Sequence, residues 1–309
     1  MILPNNRRHI YIGVIYAILG SIAFSGKTII IKLAYQHGVE AMTLLALRMI
    51  FALPFFLLMA YFSGFPKLSR RDWLIITGLG FLGYCLGSYL DFIGLQYISA
   101  GLGRLILYLH PSLVLLMSAV FLKQPIRAQH WLSLGLSYCG IALVFHDSIA
   151  LGGAWDKILL GSGLVFTSAV IYAIYLLTGS RYVQKMGSMS FTAYASIFAS
   201  FFVICNFLGF HGTTALIVPG EVYRLALIMA IFSTVLPLWL LAEGLKRIGA
   251  NQVSLLGCIG PLSTMVLGQI FLLEPISLTQ IFGAVLVLAG MIVISIKPHA
   301  AVNSSLITK

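Results

Sequence analysis

The 309-residue chain is 60% hydrophobic and only 9% charged, and its mean hydropathy of +1.02 leaves too little polar surface to coat a soluble globule. Its net charge of +11 would suit a nucleic-acid binder, but the basic residues sit between long apolar stretches instead of forming one patch. That pattern excludes nucleic acid as a partner and marks an integral membrane protein whose partner is the lipid bilayer.

In chain order, residues 1–9 form an N-terminal segment carrying Arg7 and Arg8. The apolar run at 10–33 is longer than a signal-peptide core, contains Lys27 and lacks a small-residue cleavage site, so it is expected to be retained as the first span. At about 20 residues per crossing, further spans are predicted at 43–62, 74–97, 102–122, 130–146, 159–178, 191–210, 223–245, 252–273 and 277–297. No strand alternation of about ten residues appears, which argues against a barrel. Cys85, Cys139, Cys205 and Cys258 fall inside predicted spans without paired spacing and read as buried small apolar residues.

A repeat organises these spans. Gly94, Ala100, Pro111, Pro125 and Gly140 return 150 positions later as Gly244, Ala250, Pro261, Pro275 and Gly290, and residues 90–145 match 240–295 at 13 of 56 positions without a gap. Glycine and proline at one constant spacing mark turns and close packing points that recur in a duplicated unit. Five helices per copy is an odd number, so the second copy enters the membrane from the opposite side and the repeats are expected to be inverted. The expected fold is therefore all-α, ten transmembrane helices in two inverted five-helix repeats. The first repeat is placed at 10–146, an external connector at 147–158, the second repeat at 159–297 and a tail at 298–309.

Charge sets the expected orientation. With the N-terminus in the cytoplasm, 13 of the 19 basic residues fall on the cytoplasmic side, among them Arg70, Arg71, Lys185, Lys246 and Arg247. Both termini are then cytoplasmic. Inverted repeats are a design of secondary transporters, in which exchanging the conformations of the halves converts outward-facing into inward-facing states.

The stretches 88–122 (SYLDFIGLQYISAGLGRLILYLHPSLVLLMSAVFL) and 242–276 (AEGLKRIGANQVSLLGCIGPLSTMVLGQIFLLEPI) resemble paired EamA domains of the drug/metabolite transporter superfamily, and the resemblance runs over residues 10–296. The second copy carries the family's Glu-Pro pair at Glu274-Pro275; the first departs from it with Gln124-Pro125. It departs again at Gly103-Arg104, where many relatives have an acid beside the arginine. The resemblance implies ten helices, both termini inside, a bacterial inner-membrane location and export of small metabolites.

An ionisable side chain in the hydrocarbon layer costs about 2.5–3.5 kcal/mol on insertion scales, so such residues are the candidate site. Lys27, with Gly20, Phe24 and Ile31 on its helix face, is placed to meet a substrate carboxylate or to exchange a proton; the alternative is a snorkelling or internally paired lysine. Asp91 and Arg104 flank the hairpin between spans 3 and 4, where a salt bridge between them is the expected structural arrangement. A donor fork at Arg104 also suits a carboxylate, and Arg48 poses the same choice. Glu243 either pairs with Arg247 one turn on or serves as a proton-coupling carboxylate beside an aromatic wall at Trp239. Pro54, Pro111, Pro237 and Pro261 are expected to bend their helices and free backbone carbonyls. His110 reads as a hydrogen-bonded helix histidine and not a metal ligand, since no second ligand has suitable spacing.

No zinc-protease, P-loop or nucleophile-elbow motif occurs, and the loops are too short for a nucleotide-driven motor. The chain therefore reads as a non-enzyme without cofactor: a secondary carrier of amino-acid-like, zwitterionic or anionic solutes, with lipophilic-cation export, a channel and a membrane sensor as alternatives. Both repeats reside in one chain, so a functional monomer is expected, a merely structural dimer remaining open.

Overall fold

The computed structural model describes residues 6–121, 123, 128–150, 154–257 and 259–295. Its helices are α1 (Asn6–Tyr35), α2 (Ala41–Ser63), α3 (Arg70–Gly94), α4 (Ala100–Phe121), α5 (Ala128–Ala150), α6 (Trp155–Met186), α7 (Ser188–Phe210), α8 (residues 220–257), α9 (Ile259–Leu272) and α10 (Leu278–Ser295). Among the described residues eight helices are long and apolar enough to cross a membrane, and the last two predicted spans appear as shorter apolar stretches, Ile259–Leu272 and Leu278–Val293. Gln124, Pro125, Cys258 and the proposed tail at 298–309 lie outside the described residues.

Serine caps explain where some of these helices begin. Ser69 opens α3 through a capping box with Asp72, the reciprocal bond pattern that satisfies two orphan donors. Ser99 opens α4, its hydroxyl accepting from the Leu102 amide at 3.2 Å. The counterpart of Ser99 is Gly249, which has no side chain to cap a new helix. There the structure corrects the break expected between the spans at 223–245 and 252–273: the backbone stays helical from Leu236 through Gly257.

Two features repeat at the 150-residue spacing. Helix α3 contains a π-helical segment at Gly80–Leu86 and α8 contains one at Ile231–Val235. The two described non-glycine residues with positive φ are Lys123 (53°) and Leu273 (55°), each one position before a polar-proline pair.

Small residues set the closest helix approaches, as in other membrane bundles. A Cβ on Gly140 of α5 would collide with the Gly283 carbonyl of α10, and one on Gly290 of α10 would stand 2.7 Å from the Ser133 carbonyl of α5. A later residue of α5 thus meets an earlier residue of α10 and vice versa, so these two helices pack antiparallel. Helix α1 meets α8 in the same sense, Gly13 against Ile248 and Gly20 against Leu241.

Long apolar side chains such as Leu58, Phe62, Phe201 and Phe210 stand exposed on the outside of the bundle, where a soluble protein would not tolerate them but lipid does. Cys85 is buried as expected. Cys139 and Cys205, however, are exposed on the outer surface, and all three are free thiols; a small side chain costs little on a lipid-facing helix, so burial is not required of it.

Candidate functional site

Four charged side chains that the sequence singled out converge inside the bundle. Lys27 comes from α1, Arg48 from α2, Asp91 from the last turn of α3 and Arg104 from the first turns of α4, and none is more than 7% exposed. The Lys27 ammonium donates to Asp91 Oδ2 at 2.8 Å. This corrects the expected Asp91–Arg104 bridge. The Arg104 guanidinium lies instead between two rings, 4.9 Å from the centroids of both Phe24 and Tyr108, and α1 brings Lys27 to the carboxylate in its place.

Aromatic faces line the rest. Lys27 Nζ is 6.0 Å from the Phe24 centroid and 5.9 Å from that of Phe92, and the Arg48 guanidinium is 5.8 Å from Phe92. At such distances a desolvated cation is attracted to the ring quadrupole, which offsets part of the cost of burial without neutralising the charge. Arg48 Nε donates to Thr234 Oγ1 at 3.0 Å.

The cluster is incomplete. Three cations face one carboxylate, and among the described residues Arg48 Nη1, Arg104 Nε and Asp91 Oδ1 are buried without a hydrogen-bond partner. An unmet buried charged group costs at least about 1–3 kcal/mol, so the arrangement is suited to a ligand that brings anionic oxygen to the arginines.

The prolines shape this centre through the carbonyls they release. Pro111 cannot bond the Leu107 carbonyl four residues back; His110 Nδ1 lies 3.0 Å from that oxygen and, facing an acceptor, must donate. His110 is thus a hydrogen-bonded helix histidine. Pro261, its repeat counterpart, releases the Gly257 carbonyl, which accepts from the Tyr108 hydroxyl at 2.8 Å. Tyr108 therefore ties α4 to α8 while presenting its ring to Arg104.

A second polar group closes the end of the bundle where α1 ends and α4 begins. The Glu274 carboxylate accepts from the Ala100 amide at 3.0 and 3.1 Å, and Lys32 reaches both Glu274 Oε1 at 3.0 Å and the Ile98 carbonyl at 2.8 Å. Lys32 is five residues beyond Lys27, about 7.5 Å further along α1, so this clasp roofs the charge cluster. Beside it opens a cavity of about 390 Å³ bordered by Ser99, Leu102, Met265 and Gln280. The residue pattern identifies Glu274 as a family mark without giving it a role and does not single out Lys32; their juxtaposition needs the fold.

Glu243 and Trp239 lie elsewhere. Glu243 accepts from Arg247 one turn on, the bland alternative of the sequence reading, and Arg247 stacks over Tyr16 at 5.0 Å. Trp239 packs on Tyr16 with ring centroids 5.8 Å apart and is 49% exposed. Glu243 is nine residues from Thr234, about 13 Å along α8. The aromatic wall of the charge cluster is therefore Phe24, Phe92 and Tyr108, while Trp239 stays one turn from Glu243 on α8 and shares Tyr16 with Arg247.

A multi-pass helical bundle with a charged centre and a polar clasp above it marks an integral membrane protein. The profile of the EamA-like transporter family matches residues 11–146 and again 159–296, and the chain belongs to that family. It is 30% identical over 284 residues to the uncharacterized transporter YcbK of Bacillus subtilis (strain 168), covering 88% of each chain. It is also 29% identical over 227 residues to the uncharacterized transporter YyaM of the same organism, covering 73% of this chain and 74% of that one. A solved crystal structure with 17% identity superposes with a TM-score of 0.64 over 92% of this chain and 96% of its own, which shows a shared fold. The protein is a membrane transporter and not an enzyme.

Proposed function

We propose that the protein is a secondary carrier that exports small carboxylate-bearing metabolites, amino-acid-like zwitterions or anions, by alternating access between two inverted halves. The observation that carries the substrate class is the excess of buried cations, with Arg48 Nη1 and Arg104 Nε unmet. A carboxylate fits both donors, and the free Asp91 Oδ1 accepts from an ammonium group on a zwitterion. A lipophilic cation meets like charge at the same place, which is costly in a medium of low dielectric constant.

Inversion is supported by the antiparallel packing of the equivalent helices α5 and α10 and by the paired π segments. In this reading the first repeat is 10–146 and the second 159–297, both termini are cytoplasmic, and the protein works as a monomer in a bacterial inner membrane. The Lys32–Glu274 clasp then lies at the external end, and the structure corresponds to a state closed on that side.

Thermal unfolding of the purified protein with a panel of acetate, succinate, L-alanine, nucleosides and lipophilic cations tests the substrate class. Carboxylates are expected to raise the midpoint, because a ligand that binds only the folded state stabilises it by mass action. Stabilisation by the cations alone contradicts the proposal.

A further inference from the structure

The π segments of α3 and α8 call for an explanation that proline does not supply. Pro237 follows the second segment closely, but its counterpart after the first is Gly87, so a proline demand accounts for one segment only. π turns carry an extra residue per turn and recur at functional sites. At equivalent positions the two segments present a hydroxyl side chain, Tyr84 in the first and Thr234 in the second, and the second of these bonds Arg48.

Thr234 does so with defined polarity. Its hydroxyl donates to the Met229 carbonyl, five residues back, at 3.0 Å; the widened turn makes that partner reachable, where a regular helix offers the carbonyl three or four residues back. The single hydroxyl hydrogen is then committed, and the oxygen acts toward Arg48 only as an acceptor. It takes the Nε hydrogen at 3.0 Å. With Nε held against α8 and the guanidinium over Phe92, the outer edge of the fork is fixed, and Nη1 stays buried and unmet.

We infer that Thr234 is a positioning residue that aims the Nη edge of Arg48 at the carboxylate of the transported solute, making Arg48 the specificity-determining cation of the site. The inference rests on the carboxylate reading above. Lysine has no equivalent fork, so a compact ammonium at position 48 keeps the charge and loses the aim.

The test measures half-saturation of thermal stabilisation of the full chain in detergent by acetate, succinate and L-alanine, with acetamide and succinamide as controls without a carboxylate. Thr234→Val is expected to raise the half-saturating carboxylate concentration about tenfold, whereas Thr234→Ser stays within about twofold of the parent, since a misaimed charged hydrogen bond loses roughly that much. In an Arg48→Lys background, Thr234→Val should add nothing further. Thr234→Cys, of serine's size but a weak acceptor, makes the same comparison should the valine variant not fold. Unchanged half-saturation in Thr234→Val or Thr234→Cys, or an equal loss with and without Arg48, overturns the positioning role while leaving the carboxylate site standing. A parent protein that no carboxylate stabilises overturns the substrate class, and the inference falls with it.

Discussion

Lys27→Gln should lower transport at least about thirtyfold, and adding Asp91→Asn should not bring it back. The lysine and the aspartate form a bridge of 2.8 Å with both side chains nearly sealed from solvent. Removing one partner of a buried charge pair costs about 2–5 kcal/mol, much of it the penalty of the charge left behind, and about 2 kcal/mol already corresponds to some thirtyfold. The single variant therefore combines a functional loss with a stability loss. The double variant separates them: it removes both charges, so membrane yield and unfolding midpoint should recover toward those of the parent. If the bridge only held α1 to α3, transport would recover as well. If Lys27 and Asp91 handle the solute or its release, transport stays lost in a protein that folds. Flux assays in inverted vesicles, read beside the yield of each variant, decide the matter, and a double variant that transports like the parent contradicts the assignment.

Glu274→Gln should open the clasp. That carboxylate accepts from the Ala100 amide with both oxygens and pairs with Lys32, and charge-assisted bonds of this kind contribute about 1.5–3 kcal/mol. Losing the charge should therefore raise the fraction of molecules open at that end by about tenfold or more. Met265 is buried at the inner side of the neighbouring cavity, so Met265→Cys, in a chain lacking the native cysteines, reports opening through its labelling rate with a membrane-impermeant maleimide. Lys32→Gln should have a smaller effect, because the Lys32–Glu274 pair is partly exposed and such pairs are worth about 1 kcal/mol or less. Labelling that is indifferent to Glu274→Gln contradicts the role of the clasp. The counterpart of Glu274 is the neutral Gln124, so the charge that closes one end has no counterpart at the equivalent position of the other repeat.

The helices were largely legible because apolar runs and their punctuation are local signals. Ser69 and Ser99 begin helices where a cap allows it, and the repeat spacing reappeared in the π segments and in the backbone of Lys123 and Leu273. Lys27, Arg48, Asp91 and Arg104 could be picked out singly, since a charge in an apolar span is conspicuous. Their partners could not. Whether Asp91 meets Lys27 or Arg104 depends on how α1 lies across the α3–α4 hairpin, and that is fixed by close approaches such as Gly20 against Leu241, which carry no pairing information in the chain. Thr234 went unnoticed for a similar reason: a threonine in an apolar helix is unremarkable until the π turn and Arg48 are placed against it. Trp239 and Glu243 are one turn apart on α8 as their spacing implies, but spacing along a helix says which residues share a face and not whether that face meets the charge cluster.

Solute counterflow in proteoliposomes tests the central claim most directly. Vesicles holding the purified protein are loaded with L-alanine or succinate, and entry of the labelled solute is followed at increasing external concentration. A carrier with a carboxylate site gives saturable entry that accelerates with solute on the opposite face, and Arg104→Gln abolishes it. Flux that rises linearly without acceleration, or discrete single-channel current steps in planar bilayers, would contradict the account.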